Sequence, residues 1–586
     1  MRRKPLYAIL AATLLSACTD KPQVEPFGPL PSDDQLALQD MEMYAFLHYS
    51  LNTYTDQEWG FGDEDPALFN PSNLDTRQWV KTCKAAGMKG IIFTAKHHCG
   101  FCMWPSAYTD YSVKTAPWKD GKGDVVAELA EACREEGLKF AVYLSPWDRN
   151  HPEYGNPEYV TYFRNQLREL LTNYGDIYEV WFDGANGGNG WYGGANETRQ
   201  IDRLTYYDWG PTYDMIRELQ PHCIIWNDGA DRRGDLRWVG TEAGNIGHRN
   251  WSKMSSTKDP EWGDMHWGME EGDVWCPGET NTSIRPGWFY HTSEDGHVKS
   301  LSKLMDTYYK SVGRNSTLLL NFPIMPNGLI SPIDSARGVA FNKMVHEVFD
   351  HDLAEGIKPK DEADSVYTLT FKAPTTFNRF MACEDIALGQ RVKKFSLDAL
   401  VDGQWQPLQD ELADWDDGLE TIGRKRIICF PSVTATALRM TITECLAQPV
   451  ISRLGVFLAP EITPDIADAG EKKSSDYYVF FPGFAVNGVK SMFIDLGQTQ
   501  TINRFNFLPD ETHREGMPLE YILWNSTDGG NNWTQLARGE FSNIVNNPIW
   551  QKITFEAQEA KLLRLDVPRI TSGESIYYDD IEAVLE

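Results

Sequence analysis

The feature that most constrains this chain is a repeated exchange of apolar strand-like runs and amphipathic helical runs between about residue 40 and residue 350. Strand candidates are "MYAFLHYS", "GIIFTA", "LKFAVYLSP", "IYEVWFDG", "CIIWND", "RWVGTEAG", "WFYH" and "STLLLNFP". Helical patterns fall between many of them, among them "LDTRQWVKTCKAAG", "GDVVAELAEACREEG", "PEYVTYFRNQLRELLTNYG", "YDMIRELQP" and "VKSLSKLMDTYYKSVG". Apolar strands joined by helices demand a parallel sheet covered by helices. Eight strands without an early G-x-G-x-x-G turn fit a (β/α)8 TIM-like barrel better than an open doubly wound sheet.

Beyond residue 352 the pattern becomes all-β. "SVYTLTFKAPTTFNRFMACEDI", "KKFSLDALVDGQWQPL" and "ALRMTITECL" alternate with turn residues and predict a β-sandwich over 353–460. Pro460, Pro464 and the polar run "DAGEKKSSD" read as a linker, and a second all-β unit occupies 461–586. The fold class expected is therefore an α/β barrel over 19–352 followed by two β-sandwich domains. Eleven of the 12 histidines precede residue 352, which places the chemistry in the barrel.

The start, "MRRKPLYAILAATLLSACTDK", joins a basic head to an apolar run too short to span a bilayer. Leu15-Ser16-Ala17-Cys18 at its end is similar to a bacterial lipobox. On that reading 1–18 is a lipoprotein signal peptide, Cys18 is lipidated, and the protein is anchored to the cell envelope, on its periplasmic or outer side. An ordinary secretory signal is the alternative. The net charge of −29 repels phosphate backbones and anionic lipid surfaces, so no nucleic-acid partner is expected, and membrane attachment only through Cys18. The nine later cysteines are scattered, odd in number and set in apolar runs, as buried free thiols are.

Active sites of such barrels lie at the C-terminal ends of the strands. Those ends deliver His48, then His97 and His98, then Tyr143 and Trp147, then Asp183 after Trp181, then Asn227 and Asp228, then Glu242. Aromatic faces and imidazoles converging with carboxylates suit a sugar pocket, and a carboxylate pair suits glycosidic cleavage. Asp183 in "EVWFDGANGG" is the sharpest candidate; its partner is Glu242 in "WVGTEAG" or, as a rival, Glu279 in "CPGETNTSIRPGWFYH". The cluster "AKHHCGFC" also has the donors of a zinc site. Against that, there is one Cys pair, and adjacent strand-end histidines are expected to point to opposite sides.

Seven ordered segments carry a family resemblance: "FLHYSLNTYTDQEWG", "AKHHCGFCMWPS", "YLSPWDRNHPEYG", "EVWFDGANG", "RWVGTEAGN", "SIRPGWFYH" and "GRNSTLLLNFP". The barrel resembles glycoside hydrolase family 29, the retaining α-L-fucosidases, and its details resemble the α-1,3/1,4-preferring subfamily. The resemblance implies an exo-acting enzyme that releases terminal L-fucose from Lewis-type or related fucosylated glycans by double displacement. It implies Asp183 as nucleophile, Glu242 as general acid/base, and His48, Trp59, His97, His98, Tyr143 and Trp181 as fucose contacts. Trp288 would lie at the mouth, and no metal or cofactor is implied for the barrel. Cys99 stands where the family usually has Asp, which touches pocket shape and not mechanism. The insert after Asp183, with Trp191 and Tyr192, is a candidate for contacts to the leaving group.

The last unit, through "FIDLGQTQTINRFNFLP" and "WNSTDGGNNWTQLARGEF", resembles a discoidin-like (factor 5/8 type C) or family 32 carbohydrate-binding module. Members of that family often bind galactosides or hold a structural calcium; a purely propping role is the other reading. Two alternatives to a fucosidase stand beside it: a non-catalytic fucose-binding lipoprotein on a dead barrel, and a retaining glycosidase for a related sugar such as galactose.

Overall fold

The computed structural model describes residues 24–185, 187–227, 234–361, 365–413, 418–462, 477–481, 489–573 and 575–585. Cys18, with the rest of the leader, and Asp228 lie outside the described residues.

Eight parallel strands form the barrel: β1 Met43–Leu47, β2 Gly90–Lys96, β3 Lys139–Leu144, β4 Glu179–Phe182, β5 Ile224–Asn227, β6 Arg237–Trp238, β7 Gly278–Ser283 and β8 Thr317–Asn321. Their order around the ring is β5-β4-β3-β2-β1-β8-β7-β6. One parallel bridge, Trp226 to Leu236, brings β5 against the segment entering β6 and nearly closes the circle. A preceding helix, α1 Asp33–Met41, and six covering helices follow the chain: α2 Thr76–Ala85, α3 Val125–Glu136, α4 Pro157–Asn173, α5 Trp209–Leu219, α6 Leu301–Lys310 and α7 Pro332–Phe349. Local chemistry sets their ends. Asp75 and Asp124 cap α2 and α3 through their carboxylates, α4 begins on Pro157, and Gly137 ends α3 in the left-handed conformation at φ +77°. On α3 the buried Val125, Val126, Leu129, Ala130, Ala132 and Cys133 share the inward face.

The seventh strand departs from the sequence-based expectation. "WFYH" is an irregular loop, and the strand is the preceding "GETNTS", all six residues buried. Its small polar side chains find partners inside the barrel, as Thr280 Oγ1 does with Ser316 Oγ at 2.8 Å. A strand buried on both faces but built of polar residues has no apolar run to mark it.

Two antiparallel sheets follow. The strands that read as short are halves of long ones, β9 Val366–Glu384, β10 Arg426–Cys445, β11 Lys490–Pro509 and β14 Gln551–Val567, with β12 Glu520–Ser526 and β13 Thr534–Glu540 between the last two. Register breaks, at Thr370/Thr375 on β9 and Asp495/Gln500 on β11, bend each long strand so that its sheet folds over its own core. One core gathers Phe377, Phe380 and Phe395; the other gathers Phe505, Phe507 and Leu563. All nine described cysteines are free thiols, eight of them buried and Cys445 exposed.

Lys96, the last residue of β2, is fully buried. Its Nζ lies 3.1 Å from Asp148 Oδ2 and 3.0 Å from Gln166 Oε1, tying β2 to α4 and to the loop after β3 beneath the site. Removing one partner of such a pair strands the other in low dielectric. Lys96→Met should therefore lower the unfolding free energy by roughly 3–5 kcal/mol, read as an earlier denaturant midpoint. A loss below about 1 kcal/mol would contradict that reading.

Candidate active site

At the C-terminal ends of the strands the barrel opens into a pocket of about 180 Å³. That is below the roughly 300–1,000 Å³ typical of drug-sized ligands and suits a single sugar ring. Asp183 follows β4 directly, its side chain 39% exposed to the cavity. Tyr143 on β3 donates its O–H to Asp183 Oδ2 at 3.1 Å, and His98 Nε2 is 3.9 Å from the same oxygen. Burial and the charge of Asp183 keep the Tyr143 phenol protonated, well above its ordinary pKa, so it remains a donor. Tyr143 thus orients Asp183 from below, while Trp181, stacked on Trp226 at 3.5 Å, forms part of the wall.

The three histidines are uncharged, and hydrogen bonds fix the tautomers of two of them, His48 and His98. Asn321 donates its amide N–H groups to Ser283 Oγ and Trp288 O, so its Oδ1 must accept from His48 Nδ1 at 2.9 Å. Ser145 has one hydrogen and only carbonyl acceptors, Trp147 O and Asp183 O, so His98 Nδ1 donates to Ser145 Oγ at 2.7 Å. In both rings Nε2 is left as an acceptor. Burial pulls the pKa of His48 down to about 4 and that of His98 to about 3, which keeps both neutral. His97 Nδ1 is buried without a protein partner.

His97 and His98 do not diverge. The strand ends at Lys96, so the alternation fails at the next residue, and the two rings lie 4.1 Å apart on the same cavity wall. Cys99 and Cys102 are packed elsewhere, Cys99 beside Ser50 Oγ at 3.7 Å and Cys102 accepting from Gln166 Nε2 at 3.2 Å. Among the described residues no group of three or more His, Cys, Asp or Glu is placed to hold a metal ion.

Glu242 lies four residues past β6 and lines the pocket; Glu279 does not. Glu279 sits near the N-terminal end of β7, inside the barrel against Glu179, where Tyr44 O–H and Trp181 Nε1 donate to it. Glu242 accepts from Trp288 Nε1 at 2.7 Å. Trp288, expected at the mouth, is only 8% exposed and forms wall rather than rim. Burial lifts the Glu242 carboxyl to a pKa of about 8, with the Asp183 and Glu58 charges adding to the rise and the bonds from Asn543 and Trp288 opposing it.

Several wall residues escaped the sequence reading. Glu58 accepts the backbone N–H of Trp288 and Phe289 at 2.9 and 3.0 Å, and so shapes the loop that carries the indole. The insert after Asp183 contributes Arg203 to the wall, whereas Tyr192 is buried, bonded to Trp147 Nε1 and Gly188 O. Asn543 and Asn546 come from the last domain, some 300 residues downstream. An adjoining cleft of about 370 Å³ runs between that insert and the same loop, lined by Trp59, Gln200, Arg203, Asn543, Asn546 and Arg569.

Residues 34–343 match the family model "Alpha-L-fucosidase", and residues 479–577 match "F5/8 type C domain". Alpha-L-fucosidase 1 of Arabidopsis thaliana is 37% identical over 493 residues, 77% of this chain and 92% of the plant protein. A glycoside hydrolase 29 family member from an unknown rumen bacterium shares 65% identity and a TM-score of 0.74, covering 96% of this chain and 100% of its own. A Ruminococcus gnavus GH29 fucosidase solved in complex with fucose shares 29% identity and a TM-score of 0.66, covering 75% and 97%.

The loop behind Trp288 depends on a charged histidine. His291 bridges Asp56 Oδ1 at 2.6 Å and Glu58 Oε1 at 2.9 Å. Burial disfavours its charge, but those two carboxylates outweigh burial and raise its pKa to about 10. A raised histidine pKa adds stability that is complete below the unfolded value near 6.5 and is lost as pH climbs through about 10. The wild type should lose roughly 2–4 kcal/mol from this source between pH 7 and 10.5, and His291→Gln should flatten that dependence in denaturant titrations. An equal slope in the variant would contradict the assignment.

Proposed function

The chain belongs to the α-L-fucosidase family, glycoside hydrolase family 29, and hydrolyses fucosides; on that premise we propose a retaining, exo-acting enzyme that removes terminal α-1,3/1,4-linked L-fucose from Lewis-type glycans. The observation that carries the reading is the convergence of Asp183 and a half-buried, proton-retaining Glu242 on one monosaccharide-sized pocket. Neutral His48 and His98 offer Nε2 acceptors to sugar hydroxyls, and His97 Nδ1 gains a partner when the sugar binds. Trp59, Trp181 and Trp288 supply the apolar wall, and the remaining glycan occupies the adjoining cleft.

The chemistry follows from the two carboxyl environments. Asp183 attacks the anomeric carbon as the C–O bond breaks, and Glu242 passes its proton to the departing oxygen. Glu242, now a carboxylate, then takes a proton from water, which displaces Asp183 and regenerates both groups. A carboxyl that its pocket keeps protonated, opposite one that a phenol orients, is the division of labour this sequence of steps requires. The Cys18 reading belongs to the same proposal: the apolar run ending in Leu-Ser-Ala-Cys supports an exported, lipid-anchored enzyme on the cell envelope.

Release of free L-fucose from Lewis a and Lewis x trisaccharides, beside a 2'-fucosylated control, tests the proposal. Wild type should act on the Lewis sugars and spare the control, while Asp183→Asn should lose three orders of magnitude or more, roughly. Glu242→Gln should lose roughly 10²–10⁴-fold on the same trisaccharides. Because the acid must carry its proton, kcat/KM should fall as pH rises through about 8. Binding of fucose without release from any substrate would leave a lectin on an inactive barrel, and release from the 2'-linked control alone would overturn the linkage.

A further inference from the structure

Asn543 lies in the loop 541–550, between β13 and β14 of the C-terminal module, yet its side chain ends on Glu242. Its Nδ2 is 3.0 Å from Oε1 and 2.8 Å from Oε2. Its backbone is left-handed, φ +50°, a conformation that asparagine accepts more readily than most residues. The turn is held by the N–H groups of Asn546 and Asn547, which donate to Asn543 O at 3.2 and 2.9 Å.

The barrel grips this loop from both flanks. Glu540, just before it, takes the Asn189 N–H at 3.4 Å and faces Arg149 at 3.5 Å, both partners nearly buried. Lys552, just after it, bonds Asp56 Oδ2 at 3.1 Å and Ser293 Oγ at 2.9 Å. Within it, Asn547 Nδ2 donates to Pro286 O at 3.0 Å, on the segment that carries Trp288. A module that merely propped the barrel would have no need of a strained asparagine aimed at a carboxyl in the pocket wall.

We propose that Asn543 is a positioning residue for Glu242, so that the C-terminal module completes the catalytic site. The inference rests on the reading of Glu242 as acid/base. Oε2 accepts from both Trp288 and Asn543, at 2.7 and 2.8 Å, and Oε1 from Asn543 alone at 3.0 Å, so the transferable proton belongs on Oε1. As that proton leaves for the glycosidic oxygen, charge develops on the carboxyl, and the Asn543 amide stabilises it. The module is thereby bound to the chemistry of the leaving group and not only to sugar capture.

The other titratable groups around Glu242 are Asp183 after β4, Glu58 after β1, the neutral phenol of Tyr143 on β3 and Arg514 of the module. Lys299, Lys303 and His266 line a cavity on its far side. Since the Asn543 bond lowers the Glu242 pKa, its removal should move the alkaline limb of kcat/KM to higher pH.

The full chain carrying Asn543→Gly keeps the left-handed backbone and loses the amide. On a fucosylated trisaccharide kcat should fall roughly 10- to 100-fold, with KM changed much less. On fucosyl fluoride, whose leaving group departs without a strong acid, the loss should be far smaller, and the alkaline limb should shift upward. Asn543→Asp, equally at ease in that backbone, should be as impaired on the trisaccharide, and thermal unfolding of both should match wild type. An equal loss on every leaving group with an unmoved limb would overturn the proposal and reduce Asn543 to loop packing. Glu242→Gln with undiminished trisaccharide activity would overturn the acid/base reading first, and this inference with it.

Discussion

Glu242 is half-buried in the same pocket as Asp183, and its surroundings make a proton-holding carboxyl there tolerable. A carboxyl taken out of water costs several kcal/mol if it must ionise alone, so it stays protonated until chemistry demands otherwise. Two N–H donors, from Trp288 and Asn543, meet the charge when it forms. The indole in turn is held by a loop whose backbone amides are bound to Glu58, itself steadied by a protonated His291. The Asn543 donor arrives from a different domain, so the acid's environment joins the first and the last parts of the chain.

The opposite carboxyl is built by different means. Asp183 stands at the end of a barrel strand, partly open, oriented by a phenol and near a histidine that burial keeps neutral. A cationic His98 would have paired with the carboxylate and blunted it as a nucleophile; a neutral one leaves it its electron density and offers an acceptor to the substrate. A carboxylate oriented by a phenol, opposite a carboxyl whose pKa its pocket raises, is the contrast that the two proposed roles need.

Much of this was legible in the sequence, and the reason is geometric. Barrel strands are apolar runs that end abruptly, so the polar residues that follow the runs, among them His48, His97 and Asp183, declare themselves mouth residues. The limits are equally physical. β7 is polar and buried, so "GETNTS" carried no periodic signal and the loop "WFYH" took its place in the expectation. The divergence expected of His97 and His98 assumed that strand alternation runs on through them, whereas the strand stops at Lys96. Glu279 stood as a rival to Glu242 because each is a carboxylate with glycine nearby, but register puts Glu279 near the N-terminal end of its strand. Asn543 gave no hint, since a turn asparagine in a β-module reads as a turn until tertiary structure brings it to the barrel; its positive φ is visible only in three dimensions.

The proposed mechanism stands on a covalent fucosyl intermediate formed by Asp183, which Glu242 then helps to hydrolyse. Incubation with 2-deoxy-2-fluoro-L-fucosyl fluoride, followed by peptide mass spectrometry, tests it most directly, since the fluorine slows the second step and the good leaving group spares the first. The account predicts one fluorofucosyl adduct on the peptide containing Asp183, accumulating as activity is lost. An enzyme that turns over natural substrate yet yields no adduct, or carries it on another carboxylate, would contradict the account.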